Sequence, residues 1–326
     1  MGAAPFASDA PLVGRDAEIR RARRALDDQR GVLISGPSGT GRTALLRRVA
    51  AQLAGEADFE VLELEATASD PPIPFSAFAP AAPDVGTSGA RRSDPLYLLQ
   101  TFRAAVLGRA GDKRLVLAID DAHLLDTHSA ALVHQLVSTG EASLLATVES
   151  FSPAPEGIHS LWLEELVDRI DLLPLDHGAS LDMISGWLGS TEVRAREAGP
   201  AIGGTAMNGR QSLGGDLAEA VWRLSEGNPM YIRELLGAGF RAGSIARRDG
   251  VWSLHGRLSI DGRLAELIHA RTVGLRPAER KALQLVAFAE PVPLTVLLKL
   301  TSVDSVSTLE ERGLVCVESA RAGPVA

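Results

Sequence analysis

Gly36, Gly39, Gly41, Arg42 and Thr43 are the residues whose types and spacing most plainly suggest chemistry. They lie in Gly31-Val-Leu-Ile-Ser-Gly-Pro-Ser-Gly-Thr-Gly-Arg-Thr43, a glycine-rich turn between a short apolar run and an amphipathic segment with Leu45, Leu46, Val49 and Leu53 on one face. Strand, glycine turn, helix is the context in which a P-loop pattern carries structural meaning. The glycines let the backbone coil with its N–H groups inward, and the following helix adds roughly half a positive charge at its N-terminus. That is a nest for phosphate oxygens, with Thr43 offering its hydroxyl to a magnesium ion. One letter departs from the pattern: position 42 is Arg, where Lys is expected. Gly36, Ser38, Gly39, Thr40, Gly41, Arg42, Thr43 and Ala44 are therefore the candidate phosphate-binding residues.

A second set follows in Arg114-Leu-Val-Leu-Ala-Ile-Asp120-Asp121-Ala-His123-Leu-Leu-Asp126. Five consecutive apolar residues, Leu115 to Ile119, predict a strand buried on both faces, as in a parallel sheet. It delivers two carboxylates to its C-terminal end, where ligands bind in open α/β sheets. In this Walker B arrangement Asp120 joins Thr43 as a candidate magnesium ligand, and Asp121 is the candidate base for an attacking water. His123, His128 and His134 are spaced by five and six residues, which does not repeat one helical face and favours ordinary polar roles over a metal site.

Those two motifs need a sheet to bring them together. Strand candidates at Phe59–Leu64, Ser143–Val148 (ending at Glu149) and Arg169–Leu173 alternate with helical segments and predict a parallel, doubly wound core with helices on both faces. Asp16 is a candidate N-cap for a helix carrying Ile19, Ala22 and Leu26 inward. Residues 66–95 read as a long surface excursion, with Asp94-Pro95 starting the next helix. Beyond Pro174 the pattern turns helical, with 189–215 read as a Gly-rich loop and Asp249-Gly250 as a hairpin turn. In the last section Pro277–Phe288 should point Leu283, Val286 and Ala287 inward. Two shorter helices end at Gly313, and Leu314–Glu318 is a strand candidate. This is most of a winged-helix module, short of a second wing strand.

Composition narrows the partners. Over 326 residues the net charge is −8, which weighs against nucleic acid as a partner of the whole chain. The Arg20, Arg21, Arg23, Arg24 cluster reads as a solvated helix face. The single cysteine, Cys316, forbids an internal disulfide and fits a reducing compartment. With no signal-like N-terminus and no apolar run approaching ~18 residues, a cytoplasmic location off the membrane is expected.

Val13-Gly14-Arg15, the P-loop, the Asp-Asp-Ala-His-Leu-Leu-Asp run, Gly227-Asn228-Pro229 and Leu275-x-Pro-x-Glu-Arg280 occur in that order. Together they resemble the ATPase part of the large ATP-binding LuxR-type transcriptional regulators, relatives of AAA+ proteins among the signal-transduction ATPases with numerous domains. The resemblance runs from about Pro11 to Val317. It implies a P-loop domain over 1–175, a helical lid over 176–262 and a winged-helix domain over 263–326. It also implies an ATP/ADP and Mg²⁺ switch, with Val13, Gly14 and Arg15 lining the adenine and Pro229 covering it. Relatives usually carry Arg near the γ-phosphate where this chain has Glu149. An acid at ~4 Å from phosphate costs about 4 kcal/mol at an effective dielectric near 20. Together with Arg42, whose planar fork does not replace a compact ammonium at a tight site, this predicts weakened nucleotide binding and slow or absent hydrolysis. A protein partner or self-association is expected, with no direct DNA contact. The alternatives are a pseudo-ATPase scaffold acting by protein–protein contact and a winged-helix DNA-binding protein.

Overall fold

The β-branched and apolar residues of Gly31–Gly36 (β1) are all buried, because this strand lies inside a five-stranded parallel sheet of order β2-β3-β4-β1-β5. Its partners are Phe59–Glu65 (β2), Arg114–Asp120 (β3), Ser143–Glu149 (β4) and Val167–Asp171 (β5). The computed structural model describes residues 12–28, 30–66, 72–81, 95–150, 152–197, 213–258, 262–320 and 323–325. The chain divides into two compact units. The first comprises Met1–Glu149, Pro153–Ser212 and Glu226–Met230; the second comprises Ser150–Ser152, Leu213–Ser225 and Tyr231–Ala326.

Period-two alternation splits each strand between two apolar layers. Leu115, Leu117 and Ile119 of β3 join Leu144 and Ala146 of β4 in one layer, with residues of Pro95–Ala110 (α3), Thr127–Ser138 (α4) and Glu156–Leu163 (α5). Val116, Ala118, Leu145 and Ile170 face the other layer, where Leu26 of Asp16–Asp27 (α1) and Leu45, Val49 and Leu53 of Arg42–Ala54 (α2) pack. Two-sided burial is why the strands read as continuous apolar runs. At about 25 cal/mol per Å² of apolar surface removed from water, these two layers supply the main stabilisation of the sheet.

Several expectations are corrected. Asp16 is the first residue of α1, not its cap; Arg15 holds the cap position and makes no side-chain cap bond. Strand β5 begins two residues earlier than its apolar pattern suggests. The 66–95 stretch is not simply a surface excursion, although 67–71 and 82–94 lie outside the described residues. Ser76–Ala81 is a 3₁₀ turn, and Phe75 and Phe78 are among the most deeply buried side chains. Phe75 stacks on Phe102 of α3 at 4.9 Å between ring centroids, so aromatic burial overrides the Ala/Pro/Ser texture around it. The helix begun at Leu181 is longer than expected, His177–Glu197 (α6), so the first third of the predicted 189–215 loop is helical.

In the second unit, Gly215–Ser225 (α7) precedes the run from Tyr231 of helix Pro229–Arg241 (α8). A hairpin follows, Ile245–Arg248 (β6) with Val251–Leu254 (β7), turned by Asp249 and Gly250 at φ 50° and 83°. Two adjacent positive φ values are the type I′ geometry that an Asp-Gly pair favours. The remaining helices are Gly262–Thr272 (α9), Pro277–Ala289 (α10), Leu294–Leu300 (α11) and Val303–Glu311 (α12). Proline at the first position of α10 needs no N–H partner there. Glu279 accepts a hydrogen bond from the Arg276 N–H at 2.8 Å, and that bond, with the Arg276 guanidinium, holds its carboxyl below the usual range. The Leu-x-Pro-x-Glu motif is thus a helix start. Ala287 is exposed, whereas Ala282 is buried in a cluster with Leu275 and Leu309. The strand candidate at 314–318 is also displaced: Glu318–Ala320 (β8) pairs antiparallel with Gly323–Val325 (β9), giving the second strand that the sequence reading lacks. Among the described residues no helix is long and apolar enough to cross a membrane.

Candidate functional site

The P-loop leaves β1 at its C-terminal end and enters α2 at Arg42. Gly39 and Gly41 have φ of 83° and 98°, which a side chain would strain. At Gly39 space is closed as well, since an added Cβ would lie 2.7 Å from Asn228 Oδ1 and from Met230 Cβ. Gly41 occupies the N-cap of α2, and among the described residues no side chain caps that end. The first-turn amides of α2 are therefore available in kind to an anion.

Sheet order decides what stands beside this loop. Strand β4 lies between β1 and β3, with Gly36 in register with Glu149 and Ile119 with Ala146. The ends of all three strands therefore converge. Thr43 Oγ1 donates to Asp120 Oδ1 at 3.1 Å, joining the two predicted magnesium ligands directly. Thr147, fully buried on β4, donates to the same oxygen at 2.7 Å and accepts from the Asp121 N–H at 2.8 Å. Thr147 was not among the sequence candidates. Its only signal is its place two residues before the end of an apolar strand, and that becomes meaningful once β4 is known to separate the two motifs.

Asp121 has φ 52°, a left-handed conformation that Asp tolerates better than most residues with a side chain. Its carboxylate lies 3.8 Å from Arg42 Nη2 and 3.9 Å from His123 Nδ1. The His123 ring is buried; its Nδ1 accepts from the Glu149 N–H at 3.4 Å, and its Nε2 is 3.9 Å from Glu149 Oε2. Burial lowers the His123 pKa, against the opposing pull of Asp121 and Glu149 and with a smaller push from Arg42. The imidazole is thus favoured neutral, as an Nδ1 acceptor requires. His128 lies near Asp126 and His134 near Glu164, so the three histidines face different surroundings.

Arg42 is the most telling side chain. It is 10% exposed, and among the described residues its buried Nη1 has no hydrogen-bond partner. An enclosed cationic donor without an acceptor is costly. A phosphate oxygen is an acceptor of the right charge and geometry for it.

The other predicted binding residues surround the loop. Arg15, 5% exposed, donates to the carbonyls of Thr40 at 3.2 Å and Leu173 at 2.6 Å and pairs with Glu18. Gly14 has φ 69°, and a Cβ there would lie 2.6 Å from that of Ala179 on α6. Val13 is half-buried beside it. Pro229 sits between Asn228 and Met230, both bonded to the loop: Asn228 Nδ2 donates to Ser38 O at 3.0 Å and the Met230 N–H to Gly39 O at 3.2 Å. Thr40 is turned inward, its hydroxyl donating to Pro37 O at 2.8 Å, while Ser38 is half-buried and Ala44 is exposed.

Residues 11–148 match the AAA ATPase domain family. Two solved structures share the fold over nearly the whole chain. One is the Walker-type ATPase PABY2304 of Pyrococcus abyssi, at 14% identity and TM-score 0.57, covering 96% of this chain and 93% of that one. The other is the ORC1 protein of Aeropyrum pernix in complex with DNA, at 19% identity and TM-score 0.50, covering 98% and 90%. A search of curated proteins found no match. Residues 11–148 thus resemble an AAA ATPase domain, and the chain has a P-loop α/β sheet with a helical part after it.

Proposed function

We infer that this chain is an ATP·Mg²⁺-controlled switch that hydrolyses its nucleotide slowly or not at all. Its finer role is as the regulatory module of a LuxR-type transcriptional regulator. The observation that carries the nucleotide reading is the buried Arg42 Nη1, a donor without an acceptor among the described residues, beside a glycine loop. Thr43 and Asp120 are the residues to hold magnesium, and Thr147 orients the Asp120 carboxylate for it. Bound magnesium would neutralise phosphate charge and polarise the terminal phosphoryl group. Arg42 and the amides of Gly39 and of Gly41 to Ala44 are assigned to the phosphates, while the Thr40 N–H bonds to Pro37 O within the loop. Val13, Gly14, Arg15 and Pro229 are assigned to the adenine side. Asp121 is the candidate to accept a proton from water, but its carboxylate shares space with Arg42 and His123, and Glu149 adds negative charge at the neighbouring strand end. These acids disfavour charge build-up on phosphate and support slow turnover.

The regulator reading rests on the ordered motifs from Val13 to Arg280. It divides the chain into a nucleotide domain (1–175), a lid (176–262) and a winged-helix part (263–326), with nucleotide state setting their arrangement. The output in this reading is contact with a protein partner or a second copy in the cytoplasm, not direct DNA contact. Thermal melts and phosphate release test it. ATP·Mg²⁺ and ADP·Mg²⁺ should each raise Tm, as any ligand that binds only the native state does, with turnover well below about 1 s⁻¹. No shift with either nucleotide would overturn the switch; turnover at or above that rate would overturn the slow-hydrolysis half.

A further inference from the structure

Three consecutive P-loop carbonyls, those of Ser38, Gly39 and Thr40, each accept a hydrogen bond from a residue outside the loop. The donors are the Asn228 side chain, the Met230 N–H and the Arg15 guanidinium. We propose that Asn228 and Arg15 are positioning residues that preset the phosphate loop, with Asn228 tying the start of α8 to it; this rests on the nucleotide reading of the loop.

The argument begins with peptide geometry. A trans peptide is planar, so its C=O and N–H point in opposite directions. Holding the Ser38 carbonyl toward Asn228 turns the Gly39 N–H away from Asn228, and holding the Gly39 carbonyl toward Met230 does the same for the Thr40 N–H. A loop that must aim its amides at an anion gains from having its carbonyls fixed beforehand, because binding then need not order them. Asn228 is 7% exposed and Arg15 5%, so neither bond competes fully with water. The close approach also accounts for Gly39, which leaves no room for a Cβ against Asn228 and Met230.

The plainer role for Asn228 is a helix cap. Its Oδ1 accepts from the Met230 N–H at 3.0 Å, Pro229 follows as first helical residue, and Asn is a favoured cap. The two roles use different atoms: Oδ1 caps α8 and Nδ2 braces the loop. Because Met230 contributes its N–H to Gly39 O and to Asn228 Oδ1, movement of the loop is felt at the first turn of α8. The chain passes into the second unit at Tyr231.

Substitution separates the roles. Serine is also a good cap, but it is one atom shorter and cannot reach the Ser38 carbonyl from the same backbone position. N228S should keep its Tm near that of the parent chain while ATP·Mg²⁺ affinity falls about fivefold to tenfold. N228A should lose affinity equally and also melt earlier. R15K should weaken affinity in the same way, since a compact ammonium cannot at once reach Thr40 O and Leu173 O, both held by Nη2, and Glu18, held by Nη1. If N228S binds nucleotide as the parent does, Asn228 is a cap alone and the proposal is overturned. Should the parent chain bind no nucleotide, the switch reading fails, and amide exchange without nucleotide then decides the brace. Faster exchange at Thr40, whose N–H bonds to Pro37 O within the loop, supports it in N228S; unchanged exchange overturns it.

Discussion

One seven-residue run, Asp120 to Asp126, places carboxylates in two contrasting settings. Asp126 is enclosed and fully engaged. It accepts from the N–H groups of His128 and Ser129, capping α4, and from those of Phe75 and Ser76 and the hydroxyls of Ser76 and Ser129. Burial alone would raise its pKa, but the Ser129, Phe75 and His128 hydrogen bonds outweigh that and hold it below the usual carboxylate range. Among the described residues, Asp120, six residues earlier, accepts only from the Thr43 and Thr147 hydroxyls, and Asp121, five residues earlier and 41% exposed, faces Arg42 and His123 at 3.8 and 3.9 Å without a hydrogen bond to its carboxylate. Asp126 organises structure by pinning the 3₁₀ turn to α4. The earlier pair keeps the capacity to engage something further. For buried acids, the number of donors already satisfied separates a structural role from a chemical one.

That contrast makes the largest predicted effect a structural one. D126A should destabilise the first unit by about 3 kcal/mol, since several buried N–H groups lose their acceptor at once, and it should be read as a lower Tm. R42A should do the reverse. It should weaken ATP·Mg²⁺ binding about thirtyfold, near 2 kcal/mol, without lowering the Tm of the nucleotide-free chain, because among the described residues one buried nitrogen of the guanidinium it removes has no hydrogen-bond partner. T147V should sit between them, costing about 1 kcal/mol of stability and weakening magnesium-dependent binding by releasing the Asp120 carboxylate. Equal loss of stability in D126A and R42A would erase the distinction.

The smallest effects are in pH dependence. The folded-state pKa of His123 is lowered, so its contribution is whole above about pH 6.5 and is lost as pH falls below that value. H123Q should flatten the stability curve there. The folded-state pKa of Asp126 is likewise lowered, so its contribution is whole above about pH 4 and is lost as pH falls through the folded value. D126N should remove that second slope and leave the first. Denaturant midpoints measured between pH 3 and pH 7 read both.

Much of the site was legible because its parts are local. Gly36 to Thr43 and Asp120-Asp121 each sit where a strand ends, and apolar runs of three (Val32–Ile34) and five (Leu115–Ile119) residues mark those strands plainly. What was hidden depends on strand order. No local pattern says that β4 separates β1 from β3, so Thr147 looked like any polar residue in a strand and His123 like a loop histidine. Phe75 and Phe78 were obscured by the Ala, Pro and Ser around them, and their burial depends on Phe102 and Asp126, distant in sequence. Asn228 belongs to the Gly227-Asn228-Pro229 motif, but nothing local shows that its Nδ2 bond reaches Ser38, 190 residues away. Ala282 and Ala287 each lie four residues from an inward position, Val286 and Leu283, and the packing of Leu275 and Leu309 against Ala282 decides which is buried.

The most direct test of the phosphate site is calorimetric titration of the chain with ATP·Mg²⁺, run beside R42K and R42A. Binding in the range of about 1–100 µM, tightened or kept by Lys and weakened tenfold or more by Ala, is the predicted result. No heat of binding in the parent chain and in R42K alike, with both shown folded by their melting curves, would contradict the assignment of Arg42 and its loop to a phosphate.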